Sequence, residues 1–295
     1  MQVGFIGAGK VGRALGLYFA HHGIPVAGYC SRTDASAREA ASLTGTAFYP
    51  DILSLSADCS VLFVTTPDGG IADVDAQAAP LVEEGRIAPD KVWIHTSGAL
   101  PSTQLSALSK LGCAVGSLHP MQSFGEASAS AKMLETTYFT IEGSGKALEI
   151  MRALLGICSA RFDEIRTDAK PLYHAGACFL SNYLVTLLDG GFSCLLEAGL
   201  ERETVFEAAL PLIEGTLKNI RAKGTVDALT GPIVRGDVGT ISVHLDALDA
   251  KLPERSELYR ALGLATVEMI ENQKLSRDQA AKFKYRLRGG NKHGE

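Results

Sequence analysis

The sequence predicts an α/β chain: a doubly wound, mostly parallel sheet in residues 1–166, then a second, all-helical dimerisation domain in residues 167–295. Three observations carry this reading. A glycine triplet follows a short apolar run at the start, strand-like apolar runs alternate with helical periodicity up to Arg166, and the periodicity beyond is helical alone.

Residues 3–12 read VGFIGAGKVG. Val3, Phe5 and Ile6 fit the end of a buried parallel strand, and Val11, Ala14, Leu15, Tyr18 and Phe19 recur at helical spacing before the stop residue Gly23. This order puts Gly7 in a tight turn, Gly9 where the backbone must approach a pyrophosphate, and Gly12 where the helix packs on the strand. The free N–H groups at the helix start, from Lys10 and Val11, face the phosphates, as in the Rossmann dinucleotide fingerprint. The competing reading is a turn whose glycines serve packing only.

The strand at 24–30 ends where NAD-binding chains place an acid, about 20 residues past the glycines. Here the chain continues Ser31, Arg32, Thr33. A ribose 2′-hydroxyl finds no carboxylate, whereas a 2′-phosphate finds a guanidinium and two hydroxyls, which selects NADP. The alternative is that Arg32 is a solvated loop charge and either cofactor binds.

The alternation continues with a helix at 34–44 and strands at 46–48, 61–64, 92–95, 114–118, 138–141 and 160–165, a sheet of about eight strands. Residues just past the strands are the ones to inspect in an open α/β sheet. They are Thr65-Thr66-Pro67-Asp68, Thr96-Ser97-Gly98 and His119-Pro120-Met121-Gln122-Ser123-Phe124. Each of the first two is ordinary turn chemistry by itself, but together they suggest a cleft floor. Thr66 and Ser97 would border a nicotinamide, and Ser97 and Gly98 a substrate. His119 either moves a proton near neutral pH or is a satisfied structural histidine.

Helices are predicted at 170–198, 203–222, 239–250, 254–273 and 276–287. Residues 175–196 are apolar on nearly every side, so this helix must be buried. Unbroken, it spans on the order of 40 Å, with Gly190-Gly191 as a potential bend, and a homodimer sharing such helices covers it. Lys170, His174, Cys178 and Asn182 stand four apart and form a polar stripe, facing either a cleft or a polar register in a dimer interface. Lys170 precedes Pro171 and belongs at the helix start. The loop 229–240 holds Thr230, Arg235 and Asp237 among glycines, with His244 on the following helix. Arg235 clamps a substrate carboxylate or pairs with Asp237, and Thr240 reads as the cap of the next helix.

The chain has 295 residues, 46% apolar and 21% charged, with a formal charge of −5. That is ample for two domains and gives no reason to expect nucleic acid. No apolar run approaches the roughly 20 residues of a membrane span, and a fingerprint starting at once leaves no room for a leader, so a soluble, cytoplasmic protein is expected. Six cysteines sit singly, without metal-ligand spacing, so free, mostly buried thiols and no metal are expected. Residues 282–292 read as a short, frayed basic tail.

The segments HTSGAL, GSLHPMQSF, KPLYHAGACFLSNYL and LTGPIVRGDVGT together resemble the 6-phosphogluconate dehydrogenase-like superfamily, and within it the Rossmann-like proteins with a helical DUF2520 domain. The resemblance covers essentially the whole chain and implies an NADP-linked, or deazaflavin-linked, oxidoreductase that dimerises through its helical domain. In the more distant β-hydroxyacid dehydrogenases a helical-domain lysine and an asparagine four residues on carry the chemistry. Here His174 stands four beyond Lys170, which makes His174 the better proton donor, with Asn182 orienting substrate or nicotinamide. The expected activity is hydride transfer between NADP and a C=O or C=N carbon of a small anionic metabolite. Its rivals are an NADP-occupied sensor without chemistry, and an imine reductase of the pyrroline-carboxylate type that depends weakly on its histidines.

Overall fold

The computed structural model describes residues 1–290. Eight strands form one sheet: β1 (Val3–Ile6), β2 (Val26–Cys30), β3 (Ala47–Phe48), β4 (Val61–Val64), β5 (Val92–His95), β6 (Ala114–Pro120), β7 (Tyr138–Gly143) and β8 (Arg161–Glu164). Their spatial order is β3-β2-β1-β4-β5-β6-β7-β8. Every neighbouring pair is parallel except β6 with β7. The strand order reverses between β1 and β4, the switch point at which open sheets bind ligands.

Strand alternation separates two cores. Val3, Phe5, Val61, Phe63 and Ile94 pack on one face beneath α1 (Lys10–His21), α2 (Asp34–Thr44) and α7 (Gly145–Ile157). Ile6, Leu62, Val64 and Trp93 pack on the other beneath α3 (Ile52–Asp58), α4 (Ile71–Glu83) and α5 (Ser106–Lys110). A further helix, α6 (Ala127–Leu134), joins β6 to β7. Phe5 stacks on Phe19, Tyr29 and Phe63, and Phe19 meets Phe63 at a tilt, with centroids 5.1–6.3 Å apart, fixing the first βαβ unit.

The chain divides into two compact units, Met1–Asn182 and Tyr183–Glu295. The loss of strand periodicity at residue 166 therefore precedes the division: α8 (Lys170–Leu180) belongs to the unit that holds the sheet. The second unit contains most of α9 (Asn182–Glu197), then α10 (Val205–Ala228), α11 (Val238–Lys251), α12 (Pro253–Ile270) and α13 (Arg277–Leu287). Its core is built from Ile241, Leu245, Val267, Ile270, Phe283 and Leu287.

Four details of the helical region differ from the sequence reading. The helix expected over 170–198 breaks at Ser181 (φ −124, ψ −72) rather than at Gly190-Gly191, so Asn182 opens a new helix and the fourfold spacing no longer places it on the His174 face. Asp237, not Thr240, caps α11: its carboxylate accepts from the Thr240 N–H at 2.9 Å and from the Thr240 hydroxyl at 2.6 Å. That carboxylate is committed to Thr240, whose bonds hold it below its ordinary pKa, with Arg235 a lesser influence. The basic segment is not frayed through Leu287, since it forms the end of α13, with buried Arg286 on Ser242 and Asp246; Asn291 and Lys292 lie outside the described residues.

The apolar stretch, expected to be buried, keeps large side chains exposed among the described residues. Leu172 and Leu180 on α8 are 79% and 75% exposed, and Val185 on α9 is 68% exposed. Among the described residues, the stretch Thr167–Glu197 is long and apolar enough to cross a membrane by length and composition, contrary to the expectation that no such run exists.

Candidate active site

Strand register brings the chemistry to one edge. Ile6 pairs with Cys30 and Val64, Val64 with His95, and His95 with Ser117, so these five residues form one row across the sheet. The chain leaves β2, β1, β4 and β5 just beyond that row, at the carboxyl edge.

At the switch point lies a cleft of about 470 Å³, lined by Gly7, Gly9, Ser31, Arg32, Thr33, Thr65, Thr66 and Pro67. Gly7 is required twice over: its φ is +108, and a Cβ would lie 2.8 Å from the backbone of Thr65 and Thr66. The Thr65 hydroxyl donates to the Gly7 carbonyl at 2.8 Å, tying the two loops together. A Cβ on Gly12 would meet that hydroxyl at 2.5 Å, so Gly12 serves close packing, as its place in the fingerprint predicts. Lys10 and Val11 begin α1, which starts at Gly9 without a side-chain cap.

The cleft suits a dinucleotide on its own evidence. A Cβ at Gly9 would meet nothing within 4 Å, leaving open space against uncapped helix N–H groups. The Thr66 hydroxyl is buried there without a hydrogen-bond partner among the described residues. Asp51 also lines the cleft, but its carboxylate caps α3 by accepting from the Ser54 N–H at 2.7 Å, which leaves the exposed Arg32 and Thr33 beside Ser31 at the end of β2.

Past β5 and β6 stands a second constellation. Lys170 is 1% exposed, and its ammonium donates to the Ser97 carbonyl at 2.6 Å and the Ser117 hydroxyl at 2.7 Å. Burial lowers its pKa to about 8, against the opposing pull of Glu142 and Asp68. Glu142 is buried too, accepting from the Ser102 N–H and hydroxyl, each at 2.7 Å, and from the Thr167 hydroxyl at 2.8 Å. The Ser97 hydroxyl accepts from the N–H groups of Ala99 and Leu100, so Ser97 shapes the turn and anchors Lys170.

Gly98 forms the floor. A Cβ built there would lie 2.7 Å from His119 Nε2 and 2.8 Å from His174 Nδ1, so two imidazole edges reach one point. His119 Nδ1 is 2.7 Å from the Tyr173 hydroxyl, while His174 Nδ1 is buried with no hydrogen-bond partner among the described residues. Burial, with Lys170 and the other histidines adding repulsion, lowers the His119 pKa to about 3.

His95 completes the floor from below. It is fully buried, with Nδ1 accepting from the Ser97 N–H at 3.2 Å and Nε2 against the Pro101 carbonyl at 3.1 Å, which assigns the proton to Nε2. Burial lowers its pKa to about 4. Between pH 6.5 and 4 the unfolded chain therefore binds a proton that the folded chain refuses, and stability is lost as the pH falls. Over that window His95 should account for roughly 3 kcal/mol. Denaturant titrations at pH 7 and pH 4.5 check this: His95→Gln, which keeps a donor and an acceptor, should flatten the loss.

Of the predicted site residues, Lys170, His174, His119, Ser97 and Gly98 come together. Asn182 is exposed beyond the break at Ser181. Thr230 and Arg235 lie in the second unit, both exposed on the loop after α10. Tyr173, His95, Ser117 and Glu142 were not singled out in the sequence. Only Glu142 carried a signal, as a charge inside the apolar run YFTIEG.

A glycine-rich cradle at the switch point of a mostly parallel sheet defines a Rossmann-like fold. Residues 1–120 match the Rossmann-like domain model and residues 137–266 match DUF2520, a domain of unknown function, so the chain is a Rossmann-like protein carrying a DUF2520 domain. No curated protein matches the sequence. Among solved structures, a Bacteroides fragilis protein provisionally named an NADP oxidoreductase is 23% identical, covering 90% of this chain and 98% of its own, with a TM-score of 0.70. A Thermotoga maritima protein is 23% identical over 91% and 100%, with a TM-score of 0.66. Pyrroline carboxylate reductase of Plasmodium falciparum, with NADP bound, is 14% identical over 96% and 98%, with a TM-score of 0.59. These likenesses establish the fold.

Proposed function

We propose that the protein is an NADP-dependent oxidoreductase acting on a C=O or C=N carbon of a small, anionic metabolite. The observation that carries this is the convergence of His119 Nε2 and His174 Nδ1 on one point above Gly98, at the same sheet edge as the dinucleotide cleft. A protein that only sensed the nucleotide has no need of an unpartnered imidazole there.

NADPH, when bound, supplies the hydride; the chain supplies placement and a proton. Gly7, Gly9 and the start of α1 hold the pyrophosphate, and Ser31, Arg32 and Thr33 hold the 2′-phosphate. His174 donates the proton to the substrate heteroatom, while His119, neutral at pH 7 and tied to Tyr173, holds that atom by a hydrogen bond. Lys170 keeps the Ser97–Gly98 turn in place and adds positive potential for an anion.

A second reading, in which the substrate arrives as a protonated imine, is supported by one feature, the low pKa of His119, since such a substrate needs little acid from the protein. It also fits the likeness to a pyrroline carboxylate reductase and to imine reductases from Myxococcus stipitatus.

The test is NADPH oxidation against a panel of keto acids, cyclic imines and deazaflavin. One member should be reduced, with NADPH preferred over NADH, and Arg32→Ser should cut that preference by about tenfold or more, as expected for one charge-assisted phosphate contact. Tight NADPH binding with no oxidation by any member would leave the sensor reading in its place.

We also propose that a second copy of this chain covers the exposed side chains of α8 and α9. Lys170 is buried against Ser97 and Ser117, so the first turn of the apolar stretch is tied to the sheet and is unavailable to lipid. Sedimentation showing a monomer at micromolar concentration would remove this proposal.

A further inference from the structure

The end of α1 holds a cluster that the nucleotide chemistry does not use. His21 Nδ1 is 3.3 Å from Glu135 Oε1, and His22 Nε2 is 3.2 Å from Oε1 and 3.1 Å from Oε2 of the same carboxylate. One donor atom from each of the three residues lies within 4.8 Å of the others. We propose that His21, His22 and Glu135 form a binding site for a borderline divalent transition-metal ion, zinc in the first instance.

Adjacent residues inside a helix point about 100° apart and do not share a ligand. Here they do reach one carboxylate: His22 is the C-cap at which α1 ends, with φ −88 and ψ 13, and it offers Nε2 where His21 offers Nδ1. Its ring packs edge-on against Tyr18 with centroids 4.8 Å apart, which holds it in that position. The two rings present different nitrogens, as their different starting points require.

The geometry is close to that of a coordination sphere. Bonds of about 2.0–2.2 Å arranged tetrahedrally give ligand–ligand edges of about 3.4 Å, near the nitrogen–oxygen separations seen here. Two imidazoles and a carboxylate suit zinc, nickel or copper better than calcium or magnesium. Electrostatics agrees, because α1 and α6 both end here and helix C-termini favour a cation. His21 is largely exposed, so solvent or an exogenous ligand reaches the remaining coordination position. A bound ion would clamp the end of α1 to the turn before β7. The phosphate cradle is at the other end of α1, about 18 Å away, and should not respond.

Calorimetric titration of the chelator-treated full chain with Zn²⁺ is expected to show one ion bound per chain and a raised thermal midpoint. His21→Ala, at an exposed position, and Glu135→Gln should each weaken binding by about tenfold or more while leaving NADPH affinity unchanged. Co²⁺ should bind without a thiolate charge-transfer band, which distinguishes the cluster from the cysteines. Absence of saturable binding, binding indifferent to both substitutions, or a thiolate band would each overturn the proposal.

Discussion

His174→Ala is expected to lower turnover by about 10²–10⁴-fold, the usual contribution of a positioned general acid, while NADPH binds as before. The two effects separate because the cleft lining and the imidazole pair occupy different parts of the carboxyl edge. His174 is half-buried with an unpartnered nitrogen, so its removal leaves no buried group newly unsatisfied and the fold should tolerate it. Steady-state kinetics with the substrate found in the panel, beside fluorescence titration of NADPH, reads both quantities. Unchanged turnover would take His174 out of the mechanism. A loss smaller than about tenfold at both His174→Ala and His119→Ala would select the protonated-imine reaction, in which hydride transfer needs little help from an acid.

Lys170→Met is expected to alter stability little and activity greatly. The substitution removes two hydrogen bonds from a charged donor, each of the order of 1.5–3 kcal/mol. Against this stands the cost of burying the ammonium: a pKa lowered from 10.5 to about 8 corresponds to roughly 3 kcal/mol in favour of the neutral amine. On these figures the terms offset to within about 3 kcal/mol, so the fold should shift by no more than that.

The pH dependence carries a sign. From pH 8 to 10.5 the unfolded chain holds a proton on Lys170 that the folded chain has released, so this group makes the fold more stable as pH rises through that window. The Met variant should lose that increment. Turnover should fall about 100-fold or more as the Ser97–Gly98 turn loses its anchor, and a basic limb near pH 8 in the rate profile should vanish with it. A variant with wild-type kinetics and an unchanged pH profile would make Lys170 a purely structural residue.

The parts of this protein legible in its sequence are those that depend on near neighbours along the chain. The glycine fingerprint, the eight strands, the absence of an acid after β2 and the position of Lys170 at a helix start all follow from local patterns. The cradle they predict is lined as expected by Gly7, Gly9, Arg32 and Thr66. Spacing along a helix was less reliable: it placed His174 beside Lys170 correctly, but failed at Asn182 because nothing local announces the break at Ser181.

The sequence by itself thus determined the order of elements and the glycine cradle at the switch point, because strand period, helix period and turn glycines act over a few residues. Only the tertiary structure decided which distant groups meet. His119 and His174 close over Gly98, Glu142 reaches Ser102 and Thr167, and His21 and His22 find Glu135 more than a hundred residues away. Such meetings are set by sheet register and helix packing, which sum weak interactions over the whole unit and leave no local pattern in the chain.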